Sequence, residues 1–261
     1  MHLRPAQSAF SLVELSIVLV ILGLLTGGIL GGQSLIRAAE LRSVTADAGR
    51  YTAAVMSFRD KYFAMPGDMA NATAFWGTAA SCPNGASSTV TCNGDGDGTI
   101  DYDNSVDSPY EGYRAWQHLA NAGLVEGNYT GEFNTSLYTP GVNAPRSRLA
   151  NGVWGLWWVQ TRAMTGWGPP SGGTLLAIGS ISGSATGRWH NALFKPEEAW
   201  NIDAKVDDGR PFTGAVNSMG SAAIYAPNCT DGDSMPIATA VASTYNLDFT
   251  GTACLLMFTI N

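Results

Sequence analysis

The sequence is poor in charge, and the charge that it has is mostly negative. Only 13% of the 261 residues are Asp, Glu, Lys or Arg, about half the share found in an ordinary soluble domain. The 14 basic and 21 acidic residues give a formal net charge of −7. Lys and Arg scattered through an acidic chain provide no electrostatic footprint for nucleic acid. We therefore expect no nucleic-acid partner.

Motifs that carry catalysis are also missing. The sequence has no G-x-S-x-G nucleophile elbow, no H-E-x-x-H zinc motif and no phosphate-binding P-loop. Histidine is scarce: His118 falls within a helical pattern, and His190 follows Trp189 in a loop. Both positions fit packing or solvent exposure better than catalysis. We therefore predict that the protein is not an enzyme.

Apolar residues, in contrast, are concentrated in one long run near the N-terminus. Residues 10–36 read FSLVELSIVLVILGLLTGGILGGQSLI, and Glu14 is the only charged residue among them. As a helix rising about 1.5 Å per residue, the uncharged stretch 15–36 spans a hydrocarbon core of about 30 Å. The run is too long for the apolar part of a secretory signal peptide, and no A-x-A cleavage site follows it.

The residues around Glu14 resemble the cleavage and methylation motif of type IV pilins and type II secretion pseudopilins. A short leader that contains Arg4 and no acid precedes Ala9-Phe10-Ser11-Leu12-Val13-Glu14-Leu15. The resemblance implies that a prepilin peptidase cuts between Ala9 and Phe10 and then methylates the new N-terminal Phe10. Glu14 would be the fifth mature residue, where the family has its Glu. A plain membrane anchor matches the length of the run but does not explain a costly carboxylate near its start.

Two positions depart from the family pattern. The residue before the cut is usually Gly and here is Ala9, which is also small, so we expect processing at a reduced rate. Many major pilins carry a Pro where this chain has Gly31, within glycine pairs at 27–28 and 31–32. Each Gly costs about 1 kcal/mol relative to Ala inside a helix. The glycines therefore predict either a soft spot that bends in a fibre or close helix–helix packing in the membrane.

The resemblance also implies a role for Glu14, a set of partners and a location. Cleavage frees an amine at Phe10, and an unpaired amine or carboxylate would be costly in an apolar fibre core. In the family, the Glu is thought to pair with that amine on a neighbouring subunit. The implied partners are the prepilin peptidase, other pilin or pseudopilin subunits and the inner-membrane assembly platform. The implied location is a single span of the inner membrane with a periplasmic head, and then a pseudopilus or pilus.

The N-terminal helix is predicted to continue beyond the membrane half. In residues 37–62, apolar side chains recur at spacings of three and four, which is typical of an amphipathic helix. No Pro interrupts the chain from Phe10 to Met65, and Pro66 then ends the helix. The apolar positions are Leu41, Val44, Ala48, Tyr51, Val55, Phe58 and Tyr62. The predicted domains are a leader at 1–9, a membrane and assembly half at 10–36, and a head at 37–261 that begins with the amphipathic helix 37–63.

Beyond the long helix, short helices and strands are predicted. Residues 111–122 and about 197–206 have helical spacing, whereas 152–160, 174–181 and 254–260 are apolar runs bounded by Gly, Pro and Ser. Such runs suit an antiparallel sheet packed on a helix. The predicted fold class is α+β, with the pilin-like arrangement of a long N-terminal helix packed on a C-terminal antiparallel sheet.

Four cysteines favour two disulfides in this exported head. They are Cys82, Cys92, Cys229 and Cys254, and none forms the C-x-x-C pair expected of zinc sites. An even number of cysteines in an exported domain indicates disulfides. Sequence order favours Cys82–Cys92 and Cys229–Cys254 among three connectivities, and the second would supply the C-terminal disulfide loop common in pilins. Free thiols are the alternative.

An acidic loop at 93–104 resembles the first part of an EF-hand calcium loop. Oxygen-bearing side chains alternate with Gly, and a Gly and an Ile follow at the expected sixth and eighth positions. The candidate ligands are Asn93, Asp95, Asp97 and Asp101. Position twelve is Asn104 instead of the bidentate Glu, unless Asp103, Asp107 or Glu111 folds in. The alternative is an acidic turn that satisfies itself through Asx hydrogen bonds.

Together these features predict a structural subunit of a type II secretion pseudopilus or a type IV pilus. The size of the mature chain favours a minor pilin or pseudopilin, and retention of Glu14 argues against the tip subunit that lacks this acid. The alternative is a membrane-anchored adhesin or ligand-binding module with a calcium-stabilised head. Exposed tryptophans at 154–158 or 189–200 would favour the alternative, and buried ones would favour core packing.

Overall fold

The computed structural model describes residues 11–80, 82, 90–101, 104–105, 108–109, 111–132, 138–159, 173–181, 191–219, 228–231 and 242–260. The chain divides into two compact units, with the boundary between Arg42 and Ser43. This boundary lies beyond Ile36, where the sequence placed the end of the membrane half. The first unit contains the N-terminal part of one helix, and the second contains the head.

Helix α1 runs from Leu12 to Tyr62 without interruption and therefore confirms the single long helix predicted from the sequence. It contains no Pro, and the glycines of the 27–32 region lie within it. The helix ends where Phe63 adopts a φ of 55°, the left-handed conformation that often terminates helices. Pro66 follows shortly afterwards.

In the described part of the head there are three further helices and two antiparallel sheets. The elements in chain order are α2 (Thr73–Trp76), β1 (Asn104–Ser105), β2 (Ser108–Pro109), α3 (Glu111–Asn121), β3 (Gly152–Val159), β4 (Gly173–Ser180), α4 (Pro196–Val206), β5 (Val216–Met219) and β6 (Leu255–Ile260). Strands β1 and β2 form a two-stranded sheet, and the other four pair in the order β3-β4-β6-β5. All of these pairs are antiparallel, so the α+β, pilin-like architecture predicted from the sequence is confirmed.

The head part of α1 supplies one side of the hydrophobic core. Its buried residues are Val44, Ala48, Tyr51, Ala54, Val55 and Phe58. The ring of Tyr51 meets two indoles edge-on, with centroid distances of 5.0 Å to Trp116 on α3 and 5.4 Å to Trp154 on β3. A side chain at Gly112 would collide with the carbonyl oxygen of Leu156, so glycine allows α3 to lie directly against β3. The middle of the predicted stripe, from Val44 to Phe58, is therefore buried, whereas Leu41 and Tyr62 at its two ends are only half-buried.

Candidate functional sites

Two side chains accept backbone hydrogen bonds at the start of α1. The backbone N–H of Ser11 donates to Oε2 of Glu14 at 2.9 Å, and the N–H of Val13 donates to Oγ of Ser11 at 3.2 Å. This arrangement resembles a capping box, in which a Ser and a Glu three residues later satisfy free donors of the first turn. Glu14 therefore has a partner within its own chain. Ala9 and Phe10 lie outside the described residues.

The apolar stretch after Glu14 is exposed along its whole length. Every Leu, Ile and Val from Leu12 to Ile36 is at least half exposed, and none of the most apolar 18-residue window is buried. The hydroxyls of Thr26 and Ser34 donate to helix carbonyls one turn back, so they need no water. Within the described residues, α1 is the single helix long and apolar enough to cross a membrane.

In the head, the acidic loop 93–101 wraps around two buried carboxylates. Asp68 accepts hydrogen bonds from the N–H groups of Gly96 at 2.7 Å and Gly98 at 3.1 Å. Glu111, the first residue of α3, accepts from the N–H groups of Asp95 at 3.1 Å and Asp101 at 3.0 Å. Both carboxylate residues are almost fully buried. The conformation of the loop is therefore held by hydrogen bonds to Asp68 and Glu111, which lie outside it.

The predicted calcium ligands divide between two roles. Oδ1 of Asn93 accepts from the N–H of Thr73 at 2.9 Å, so this side chain ties the loop to the start of α2. Carboxylate oxygens of Asp95, Asp97 and Asp101 lie within 4.8 Å of one another. Asp95 and Asp97 each accept a backbone N–H two residues ahead, which is the Asx geometry of the alternative interpretation.

The carboxylate of Glu111 lies next to the acidic loop, and Glu111 is one of the residues that the sequence offers in place of the missing ligand at position twelve. Its carboxylate forms a second trio within 4.8 Å with those of Asp68 and Asp95. Burial raises the pKa of Asp68 to about 7 and that of Glu111 to about 8, against the lowering effect of their backbone hydrogen bonds. Arg114 is buried one turn further along α3, and its Nη1 donates to the carbonyl of Asn93 at 3.3 Å. Sequence reasoning missed Asp68, which follows a Pro-Gly turn and carries no spacing signal.

The fully buried side chain of His118 links Gly67, which follows α1, to Thr91, which precedes the acidic loop. Nδ1 of His118 accepts the N–H of Gly67 at 3.0 Å, which leaves the proton on Nε2, 3.0 Å from Oγ1 of Thr91. That hydroxyl donates to Oε1 of Gln117 at 2.6 Å, and Nε2 of Gln117 donates to the carbonyls of Val90 and Thr130. The imidazole has no free nitrogen to act as a base, so the described contacts of His118 are structural.

A second acidic cluster, at Asp203, Asp207 and Asp208, secures the turn after α4. Asp203 is buried, accepts the hydroxyl of Tyr245 at 2.7 Å and the N–H of Gly209 at 3.1 Å, and burial raises its pKa to about 7. Asp207 accepts N–H groups of the following loop, including that of Val216. The carboxylate of Asp203 therefore lies inside the head, whereas Asp208 is exposed.

The structure pairs Cys82 with Cys92 and Cys229 with Cys254, the connectivity that sequence order favoured. The first disulfide closes the chain just before the acidic loop. The second joins Cys229 to the residue before β6, and both of its cysteines are completely buried. No free cysteine occurs among the described residues.

The tryptophans offered a test between a core and a binding surface. Trp154 and Trp157 on β3 are buried, whereas Trp200 on α4 is 38% exposed. Trp189 lies outside the described residues. Trp158 on the same strand is half-buried, so the 154–158 region gives little support to a binding face, whereas the exposed Trp200 is the result that favours one in the 189–200 region.

A long apolar N-terminal helix followed by a head with a four-stranded antiparallel sheet is a pilin-like architecture. In agreement, residues 4–30 match the prokaryotic N-terminal methylation motif, which is the hallmark of type IV pilins and pseudopilins. This motif implies processing by prepilin peptidase and assembly with other pilins. Searches of curated proteins and of solved structures each found no match.

Proposed function

We propose that the protein is a minor structural subunit of a type II secretion pseudopilus or a type IV pilus. In this proposal it is inserted into the inner membrane, cut before Phe10 and polymerised through the apolar part of α1. The observation that carries the proposal is the exposed apolar stretch Leu12–Ile36 directly after the methylation motif. Such a continuous apolar surface needs lipid before assembly and neighbouring helices afterwards.

In the proposed fibre, Glu14 changes partner. Its carboxylate accepts the N–H of Ser11 in the single chain, and an N-terminal amine of a neighbouring subunit would replace or share that donor. A carboxylate and an amine brought together in an apolar environment each remove the cost of leaving the other unpaired. Glu14 would therefore select the axial position at which one subunit joins the next.

Mass spectrometry of the mature N-terminus tests the processing step. A chain that begins with methylated Phe10 is expected, and an intact Met1 would remove the basis of the whole proposal. The same preparation reports whether Ala9 slows the cut, because the uncut and cut forms differ in mass by the leader 1–9.

Substitution of Glu14 tests the assembly step. We expect Glu14→Gln and Glu14→Leu to insert and to be cleaved normally but to be lost from sheared or cross-linked fibres. Glu40→Gln, which removes another acid of the same helix, is the matched control and should assemble. Incorporation of the Glu14 variants at the level of the control would contradict the proposed role.

We also propose that the head binds calcium at the acidic loop. Support comes from the three carboxylates of Asp95, Asp97 and Asp101 and from the adjacent buried acids Asp68 and Glu111. Calcium takes six to eight oxygen ligands and tolerates irregular geometry, so a loop with several converging carboxylates suits it. A bound cation would also favour the ionised forms of Asp68 and Glu111, whose pKa burial raises.

Thermal unfolding of the head with millimolar calcium, and with magnesium for comparison, tests this site. Calcium should raise the midpoint, and Asp97→Asn should reduce the shift because it removes one of the converging carboxylates. Asp208→Asn, from the other acidic cluster, is the matched control and should keep the full shift. An unchanged midpoint in calcium would exclude the site.

A further inference from the structure

Three Asn-x-Thr tripeptides occur within the described residues, beginning at Asn71, Asn128 and Asn228. This tripeptide is the acceptor for N-linked sugar, which is attached at the surface of exported proteins. An Asn-x-Ser tripeptide, Asn134-Thr135-Ser136, lies outside the described residues and also has an acid, Glu132, two residues before its asparagine. The three described tripeptides differ in what the fold presents to an incoming enzyme, and that difference singles out one of them.

The tripeptide at Asn228 is poorly presented. Its middle residue Cys229 is in a disulfide, and both Cys229 and Thr230 are completely buried, so it cannot adopt an extended form in an enzyme groove without breaking the disulfide.

At Asn71, the asparagine is exposed, and the N–H of Thr73 is held by Oδ1 of Asn93, much as the N–H of Thr130 is held by the carbonyl of Val142. Asn71 and Asn128 therefore differ in their flanking residues and not in this contact.

The segment Glu126-Gly127-Asn128 lies at the surface of the head. All three residues are exposed, whereas Tyr129 is buried beneath them and its hydroxyl donates to the carbonyl of Glu126 at 3.0 Å. Gly127 has a φ of 117°, and a side chain there would collide with the ring of Tyr129. On the far side, the N–H of Thr130 donates to the carbonyl of Val142 at 2.9 Å. The acceptor asparagine Asn128 therefore lies exposed at the surface of the head.

An exposed acid accompanies Asn128 at a fixed spacing. Glu126 stands two residues before the asparagine, and Thr130 stands two residues after it, so the three side chains alternate along the segment. Two residues before Asn71 the chain has the buried Met69 instead. A carboxylate at that position offers a basic group on the transferring enzyme an ionic contact, and such contacts decide between otherwise similar partners.

From these observations we propose that Asn128 is an N-glycosylation site of the exported head. The donor is an oligosaccharide linked to a lipid through pyrophosphate. The amide nitrogen of Asn128 attacks the anomeric carbon, the new C–N bond forms as the bond to the pyrophosphate oxygen breaks, and the amide gives up one proton. The lipid pyrophosphate leaves. The inference rests on the proposed function, because export of the head brings it to the compartment that holds this donor.

The experiment uses the full chain, expressed in a Gram-negative host that carries a periplasmic oligosaccharyltransferase and its lipid-linked donor. Glycopeptide mass spectrometry should find sugar on the peptide with Asn128 and none on the peptides with Asn71 or Asn228. Asn128→Gln should lose this sugar entirely. Glu126→Gln, which leaves the acceptor tripeptide intact, should lose most of it, whereas Asn71→Gln should change nothing.

The outcomes separate this inference from the proposal on which it rests. The same spectra report whether the chain begins at methylated Phe10, so a processed chain without sugar overturns glycosylation alone. Sugar found at Asn71 or Asn134 but not at Asn128 also contradicts the inference, provided that a known acceptor in the same cells is modified. Full occupancy in Glu126→Gln would contradict the proposed role of the acid.

Discussion

The two parts of helix α1 have the same backbone conformation and opposite surroundings. From Leu12 to Ile36, every large aliphatic side chain is at least half exposed, whereas Val44, Val55 and Phe58 are completely buried. A continuous exposed apolar surface of this kind suits lipid or the helices of other subunits. The second part is stabilised by the head on which it packs. One helix therefore depends on two unrelated environments.

This contrast implies that substitutions in the two parts should affect different measurements. A change in the head should alter its free energy of unfolding and leave membrane insertion intact. A change in the apolar part should do the reverse, because the head makes its own core from residues after Arg42.

The largest effect is expected from Trp154→Ala in the head core. Trp154 is completely buried and packs against Tyr51 of α1, so its removal leaves a large cavity and should cost about 3–5 kcal/mol in the free energy of unfolding. Chemical denaturation measures the loss, with the half-exposed Trp200→Ala as the control. Equal effects of the two substitutions would contradict the burial assigned to them.

The disulfides should contribute slightly less. The loops closed by Cys229–Cys254 and Cys82–Cys92 span 25 and 10 residues. Loop-closure entropy predicts losses of about 3.5 and about 2.7 kcal/mol when each pair is replaced by Ala. Denaturation of the two double variants measures both. A larger loss for the shorter loop would show that contacts of the acidic loop, and not chain entropy, dominate there.

A charge introduced into the apolar part of α1 should leave the stability of the head unchanged. Leu22→Arg places a cation in the middle of the exposed stretch and should disfavour membrane insertion by about 2.5–3.5 kcal/mol. Carbonate extraction of membranes measures insertion, and Leu22→Phe is the matched control. The unfolding midpoint of the head should be the same in both variants. A lowered midpoint in Leu22→Arg would mean that the two parts of α1 are energetically coupled.

Taken per pH unit, the smallest effect is the response of the head to acid. Burial, assisted by the positive charge of Arg114, lowers the pKa of His118 from 6.5 to about 3. Between these values the unfolded chain binds a proton that the folded chain does not, so stability falls as pH falls, by about 1.4 kcal/mol per pH unit. His118→Gln should remove this part of the slope in denaturation series from pH 7 to pH 4. An unchanged slope would contradict a buried neutral imidazole.

Much of the fold could be predicted because its signals are local. The long uncharged run and the spacing of Val44, Tyr51 and Phe58 specify α1, and apolar runs bounded by turn residues specify β3, β4 and β6. Strand β5 was missed because Val216–Met219 is only four residues long and includes Asn and Ser. It becomes a strand by pairing with β6, which is a contact distant in sequence.

The candidate sites were predictable to the extent that their residues are neighbours in the chain. The motif at Glu14 and the alternating acids Asp95 and Asp97 can be seen directly. Asp68 and the partners of His118 could not be, because they meet these segments only through folding. The same tertiary contacts gave Asn93 a second role as the hydrogen-bond acceptor of Thr73.

The hydrogen bonds of His118 have a mechanical consequence. In the proposed fibre, a force applied to the subunit would act along its N-terminal helix. Gly67 lies five residues after the end of the helix and is hydrogen-bonded to the imidazole of His118, which also contacts Thr91. Thr91 donates to Gln117, and Gln117 donates to the carbonyls of Val90 and Thr130. A pull on the helix would thus be shared among several segments of the head and would have to break these bonds together. In force spectroscopy, we expect the head to unfold in a single step when these buried hydrogen bonds break.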